Sequence, residues 1–297
     1  MKGFSCKSYR QCGFTLVELI MVIALAGIVA VMISTVMSRP LQGFVDQSRR
    51  AELTDLAASA LNRMARDIRL AVPNSLRNEP NCSPLGCHTL ELLAISEGGR
   101  YRANEWGTSG MRYDPPRCPE SGGCSIPVLS PGMDAGKVAE ARWMVIYNTG
   151  QAVWNYPSGA GPAVITPNNV QFELGCTSSE PCLNLTGAGA TGFSFQYASP
   201  QHRFYLVRDV LGYRCETPGM ASSGDGTGSL RRGVFDTLSG TYTYTGASLV
   251  VDSVSACSFT YEPGTNTRNG LVTLRLSLSE GGETITLLQQ VHVDNAP

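Results

Sequence analysis

Charge is scarce in this 297-residue chain: Asp, Glu, Lys and Arg make up 16% of it, and the formal net charge is −1. No basic stripe runs along it, so it lacks the electrostatic footprint of a nucleic-acid binder, and no nucleic-acid partner is expected. Arg49, Arg50, Arg63, Arg66 and Arg69 do cluster, but Glu52, Asp55 and Asp67 interleave with them, as on a solvated helix face. Histidine is rarer still, with only His88, His202 and His292. No G-x-S-x-G, Walker A, H-E-x-x-H or G-x-G-x-x-G stands in a fitting context, so no enzyme is expected. No repeat with a period of about 20–50 residues occurs. Cysteine is missing between Cys12 and Cys82, and from Phe14 through Val45 there is a single acid, Glu18.

What is present begins with a short basic leader (Lys2, Lys7, Arg10). It precedes Gly13-Phe14-Thr15-Leu16-Val17-Glu18-Leu19, which opens a mostly apolar run to Met37. A secretory signal places its apolar core before the cleavage site. Here the order is reversed. The expected cut, after Gly13, precedes the apolar run, so cleavage leaves a membrane helix on the product. Loss of the three leader charges takes the net charge to about −4. Residues 19–37 make about 28 Å of helix, close to a hydrocarbon core of roughly 30 Å. The basic side predicts the N-terminus in the cytoplasm and the C-terminal part outside.

Helical spacing continues past the membrane. Leu53, Leu56, Ala57, Ala60, Leu61, Met64 and Ile68 recur at spacings of mostly three and four, one amphipathic face. Pro73 is the expected stop. Pro40, with Gly43 nearby, predicts a kink or melted turn near residues 36–43. Beyond residue 74, β-branched and aromatic runs alternate with Gly/Pro/Ser/Asn loops. Strands are expected at 89–95, 142–147, 152–156, 170–174, 192–197, 203–207, 212–216, 241–244, 258–262, 271–279 and 284–293. Loops are expected at 104–136 and 221–229. The fold class is α+β, a long helix on an antiparallel sheet-rich domain. Its parts are a leader (1–13), a helix (14–72, membrane segment about 14–37) and a globular domain (73–297).

Beyond the leader, cysteine is even in number: Cys82, Cys87, Cys118, Cys124, Cys176, Cys182, Cys215 and Cys257. An even set beyond a membrane segment points to disulfides in an oxidising compartment. Pairings cannot be fixed by spacing alone, but the simplest set is 82–87, 118–124, 176–182 and 215–257. Zinc at these cysteines is less favoured in an exported domain. Cys82 to His88 reads C-x4-C-H, whereas haem attachment uses C-x-x-C-H. Asp225-Gly226-Thr227-Gly228 is too short of oxygen ligands for a calcium loop. No cofactor or metal is expected. Trp106, Trp143, Trp154 and the eleven tyrosines suit core packing better than a sugar site.

GFTLVELIMVIALAGIVAV resembles the type IV prepilin signature: basic leader, Gly at the cut, Phe next, Glu fifth in the mature chain. The resemblance implies the type IV pilin fold, cleavage between Gly13 and Phe14 by prepilin peptidase, N-methylation of Phe14, and a role for Glu18 in assembly. Three further stretches are similar to MshO-type minor pilins of the mannose-sensitive haemagglutinin (MSHA) pilus. They are LNRMARDIRLAVPNSLR (61–77), FYLVRDVLGYRC (204–215) and the block from Cys257 to Pro297. That family is related to PilW-type minor pilins and J-type minor pseudopilins. It implies a minor pilin acting in pilus biogenesis and assembly initiation, with other minor and major pilins and inner-membrane lipid as partners. The domain would lie in the periplasm and then on the cell-surface pilus. The alternatives are a J-type pseudopilin of type II secretion and a tip-located adhesin that binds glycans.

Glu18 has its own physical logic. A carboxylate in a membrane helix costs several kcal/mol without a partner. Cleavage would create one, the Phe14 α-amine, and a neighbouring subunit presents it better than the same helix does. At an effective dielectric of about 20, a pair 4 Å apart gains roughly 4 kcal/mol before desolvation. A cost relieved only by the right neighbour acts as a register device. Stabilisation by the helix macrodipole is the simpler reading, and both can hold.

Overall fold

The computed structural model describes residues 13–79, 88–105, 111–121, 123–130, 132–150, 152–155, 161–176, 181–238, 241–264 and 268–293. For 37–42 and 105 it describes the backbone alone. The chain divides into two compact units, one ending at Ala51 and the other starting at Glu52. Helix α1 spans Leu16–Arg69. It is helical through Pro40, so the expected melted turn is absent. A proline costs a helix one donor and crowds the preceding turn, and here the helix runs on past it.

In the first unit α1 is apolar and exposed on every side from Leu16 to Val36. In the second unit it is amphipathic. Leu53, Ala57, Ala60, Leu61, Met64, Ala65 and Ile68 are all buried, following the 3.6-residue period. Three alanines on this face let the helix approach the sheet closely. Each buried Leu, Met or Ile contributes about 1.5–3 kcal/mol. Leu56, expected on this face, lies off it and is exposed. The helix closes with Leu70 N–H shared between the Arg66 and Asp67 carbonyls, and Ala71 N–H on Ile68 O. This tight last turn satisfies the terminal carbonyls.

After α1 come β1 (Arg77–Asn78), β2 (Thr89–Arg100), β3 (Asn104–Glu105), β4 (Arg112–Tyr113), β5 (Cys124–Pro127), α2 (Ala135–Ala139), β6 (Trp143–Val145) and α3 (Ala152–Asn155). They are followed by β7 (Gln171–Cys176), β8 (Pro181–Thr186), β9 (Arg203–Glu216), β10 (Gly228–Phe235), β11 (Ser248–Glu262), β12 (Gly270–Glu280) and β13 (Glu283–Val293). The main sheet is eight-stranded and antiparallel, in the order β1-β2-β9-β10-β11-β12-β13, with β6 also on β9. β5-β8-β7 form a second sheet and β3-β4 a third. The main sheet carries one apolar face against the helix, with Leu90, Leu92, Tyr213, Leu230, Phe259, Leu274 and Leu276 in its core. This is the expected α+β arrangement, an N-terminal apolar helix followed by an antiparallel sheet-rich domain.

Local chemistry explains the joints. The β12–β13 hairpin turns at Gly281 and Gly282, with φ of 56° and 83°. Two positive φ values make a type I′ turn, which glycine adopts without strain and which matches strand twist. At the other end of the sheet, Asn78 plugs β1 between two strands. Its amide donates to Thr89 O and accepts from Tyr261 N, at 3.0 and 3.2 Å.

Three of the expected strands do not form. Of the run expected at 152–156, the described residues Ala152–Asn155 give the short helix α3, anchored by buried Val153 and by Trp154 Nε1–H donating to Ser75 O. Residues 192–197 and 241–244 join no ladder, apart from one isolated bridge at Ser194. Their alternation is nonetheless real: Phe193 and Phe195, and Tyr242 and Tyr244, are buried. The runs at 203–207 and 212–216 are one strand, β9. The loop expected at 104–136 holds β3, β4, β5 and the start of α2, and the one at 221–229 ends inside β10.

Candidate functional site: the N-terminal helix and the anchored domain

The start of α1 is built by Thr15. Its hydroxyl accepts from Glu18 N–H at 3.3 Å, and its carbonyl accepts from Leu19 N–H at 3.1 Å. Thr15 is therefore the N-cap, and Thr15-x-x-Glu18 has the spacing of a capping box. Glu18 lies in the first turn, where the macrodipole favours an anion. Nothing in the composition alone showed that Thr15 would cap. The T-x-x-E spacing was the signal that could have found it.

Gly13, Phe14 and Glu18 are all exposed at this end. A Cβ built on Gly13 meets nothing within 4 Å. Among the described residues, then, no contact demands glycine at this position. The segment Leu16–Val36 is long and apolar enough to cross a membrane.

Among the described residues of the second unit three disulfides are present: Cys118–Cys124, Cys176–Cys182 and Cys215–Cys257. Cys118–Cys124 and Cys176–Cys182 are pairings that near-neighbour spacing suggested, and Cys215–Cys257 is the expected long-range bridge. Cys176–Cys182 closes the β7–β8 hairpin, and Cys215–Cys257 joins β9 to β11, the two strands flanking β10. Cys82 and Cys87 lie outside the described residues, as does Trp106.

The histidines are dispersed. His202 Nε2 lies 2.9 Å from Asp114 Oδ2, and Tyr101 donates to the other carboxylate oxygen at 3.1 Å. Burial pushes the Tyr101 hydroxyl well above the usual phenol range. His88 Nδ1 is 3.6 Å from Cys257 Sγ, and His292 lies exposed on β13. Among the described residues, no group of three His, Cys, Asp or Glu is placed to hold a metal. Asp225 is engaged instead: it accepts from Gly281 N–H and Ser223 Oγ–H at 2.6 and 2.7 Å. That ties the 221–228 loop to the β12–β13 turn. Trp143 is buried, with its Nε1–H on Asn168 Oδ1 at 2.9 Å.

Two polar clusters escaped sequence reasoning, because their partners, from 14 to 165 residues apart, meet only once the strands are paired. In one, Asp67 of α1 accepts from Tyr213 and Arg232. Burial, then the bond to Asp67, raises the Tyr213 pKa. In the other, Glu91 accepts from Arg77 Nε at 2.7 Å and from Tyr244 at 3.5 Å. The Arg77 guanidinium stacks 3.8 Å over the Trp154 ring. Burial raises the Glu91 pKa, and Arg77 opposes that shift.

Residues 8–34 match the family model described as the prokaryotic N-terminal methylation motif. No curated protein and no solved structure matches the chain. The motif, the capped apolar helix it opens and the disulfide-bonded sheet domain behind it make this chain similar to type IV pilins and pseudopilins.

Proposed function

We propose that the chain is a minor pilin of an MSHA-type IV pilus and acts in pilus assembly initiation. The observation that carries the reading is the methylation motif at residues 8–34, placed at the head of an exposed apolar helix. Prepilin peptidase cuts after Gly13, and Phe14 becomes the N-methylated N-terminus. The helix holds the product in the inner membrane with the domain on the periplasmic side. Glu18 then pairs with the Phe14 amine of a neighbouring pilin, and lateral helix packing draws the subunit into the filament. The domain itself is non-catalytic. The MSHA assignment rests on the similarity of residues 61–77, 204–215 and 257–297.

A J-type minor pseudopilin of type II secretion is the second reading, favoured by the same N-terminal geometry. Deletion of the chain separates the two. A minor pilin of the pilus leaves cells with few or no surface pili and normal secretion. A pseudopilin leaves pili in place and blocks secretion.

A further inference from the structure

The main sheet has a second face, opposite α1. Leu90, Leu92 and Tyr213 point toward the helix, so alternation sends Thr89, Glu91, Gly212 and Arg214 to the other side. There Thr241, Tyr242 and Tyr244 lie over the sheet and border an open cavity of about 440 Å³. Gly212 makes this possible, because a Cβ at that position would overlap the Tyr244 hydroxyl. The volume lies in the range of small-molecule sites.

Most of the charged lining is already committed. Arg77 is bound to Glu91. Glu79 accepts from His88 N–H and Thr89 Oγ1–H, at 3.0 and 3.3 Å. Arg214 differs. Among the described residues its guanidinium makes no hydrogen bond or ion pair, and it stands 5.7 Å from the centre of the Tyr244 ring. Directly across on β10 is Arg231, a like charge. Arg231 has Glu216 at 2.7 Å, and among the described residues no carboxylate is paired with Arg214. Like charges facing each other across strands destabilise a sheet, and this arrangement keeps one of them open to the cavity.

The unused capacity is thus a set of guanidinium donors with a positive charge, beside the Tyr242 and Tyr244 rings. We infer that this cavity binds a saccharide unit bearing a carboxylate, of the uronic or sialic acid type. The ligand carboxylate pairs with Arg214 in a planar, two-bond fork. Tyr242 and Tyr244 border the ligand as buried walls, with Phe235 stacked on Tyr242. Ring hydroxyls donate toward the Glu79 and Glu91 side, which rejects a second acidic group at that end. The volume admits a whole ring, which favours a sugar over a single acidic side chain. This site is independent of the pilus reading, and either can fail alone.

The test is ligand-observed NMR on the full chain in detergent micelles. The probes are glucuronic acid, N-acetylneuraminic acid, glucose and a short Glu-rich peptide. The expected result is saturable binding of at least one acidic sugar, weakened by salt, with glucose at least about tenfold weaker. Arg214→Gln should lose at least about tenfold in affinity at unchanged thermal stability, and Arg231→Gln, outside the cavity, should not. Equal binding of glucose, full affinity in Arg214→Gln, tighter binding of the peptide, or no saturable binding of any sugar would each overturn the assignment.

Discussion

The Tyr213 hydroxyl donates to Asp67 Oδ2 at 2.7 Å, which fastens the last turn of α1 to the C-terminal part of β9. Arg232 of β10 donates to the same oxygen at 3.0 Å. One helix carboxylate therefore holds two adjacent strands. Asp67→Ala should strip both donors of their acceptor and lower unfolding free energy by about 2–4 kcal/mol. Tyr213→Phe leaves the Arg232 pair in place and should cost about 1–1.5 kcal/mol. Urea unfolding of the three proteins measures the ranking. Equal stability of Asp67→Ala and wild type would remove the clamp from the account.

Glu91 gives a pH dependence whose sign can be worked out. Burial lifts its pKa above the ordinary 4.5, against the opposing pull of Arg77. The folded state then holds the proton more tightly than the unfolded state. Its contribution is full below the unfolded pKa and is lost as pH rises through the folded one. Relative to Glu91→Gln, which does not titrate, wild type should gain stability as pH falls from neutral toward the unfolded pKa. The difference between the two unfolding curves across that window is the readout. A wild type that loses ground to Glu91→Gln on acidification means that Arg77 outweighs burial.

The disulfides should rank by loop length. Cys215–Cys257 spans 42 residues in sequence, and the other two span 6 each. On the chain-entropy account, loss of the long bridge costs about 4 kcal/mol and loss of either short one about 2. Paired Cys→Ser variants compared by thermal unfolding test the order. A short bridge that matters more than the long one would show that these disulfides act by local packing instead.

Gly13→Val tests processing. A side chain at Gly13 meets nothing among the described residues, so the variant should fold, insert and accumulate uncleaved. Mass spectrometry of wild type should find Phe14 at the mature N-terminus. A different first residue, or normal cleavage of Gly13→Val, contradicts the proposed site.

How far the sequence could be read depended on what each signal measures. The period of Leu53, Ala57, Leu61, Met64 and Ile68 reported a helix face directly, because burial follows the 3.6-residue turn. Leu56 misled because it sits beside that face. Alternation at 241–244 and 192–197 correctly reported which side chains are buried, Phe193, Phe195, Tyr242 and Tyr244. It could not report whether a neighbour pairs with it, so both runs read as strands and are not. β10 was missed for the opposite reason. Its Arg231-Arg232 pair interrupts the apolar alternation that marks a strand, yet Arg232 turns inward to Asp67 and Arg231 outward to Glu216. That pattern becomes visible only once α1 and β9 are in place. The cavity around Arg214 lies deeper still, since its lining comes from residues 77 to 244.

The central claim is that Glu18 joins subunits, and Glu18→Ala tests it most directly. The variant should be expressed, inserted and cleaved like wild type, because Thr15 still caps the helix. It should fail to co-purify with partner pilins and should not restore surface pili to a deletion strain. Glu18→Asp, shorter by one methylene, should be intermediate. Crosslinked recovery of partner pilins beside a cleavage blot is the measurement. Wild-type partner recovery by cleaved Glu18→Ala would contradict the account.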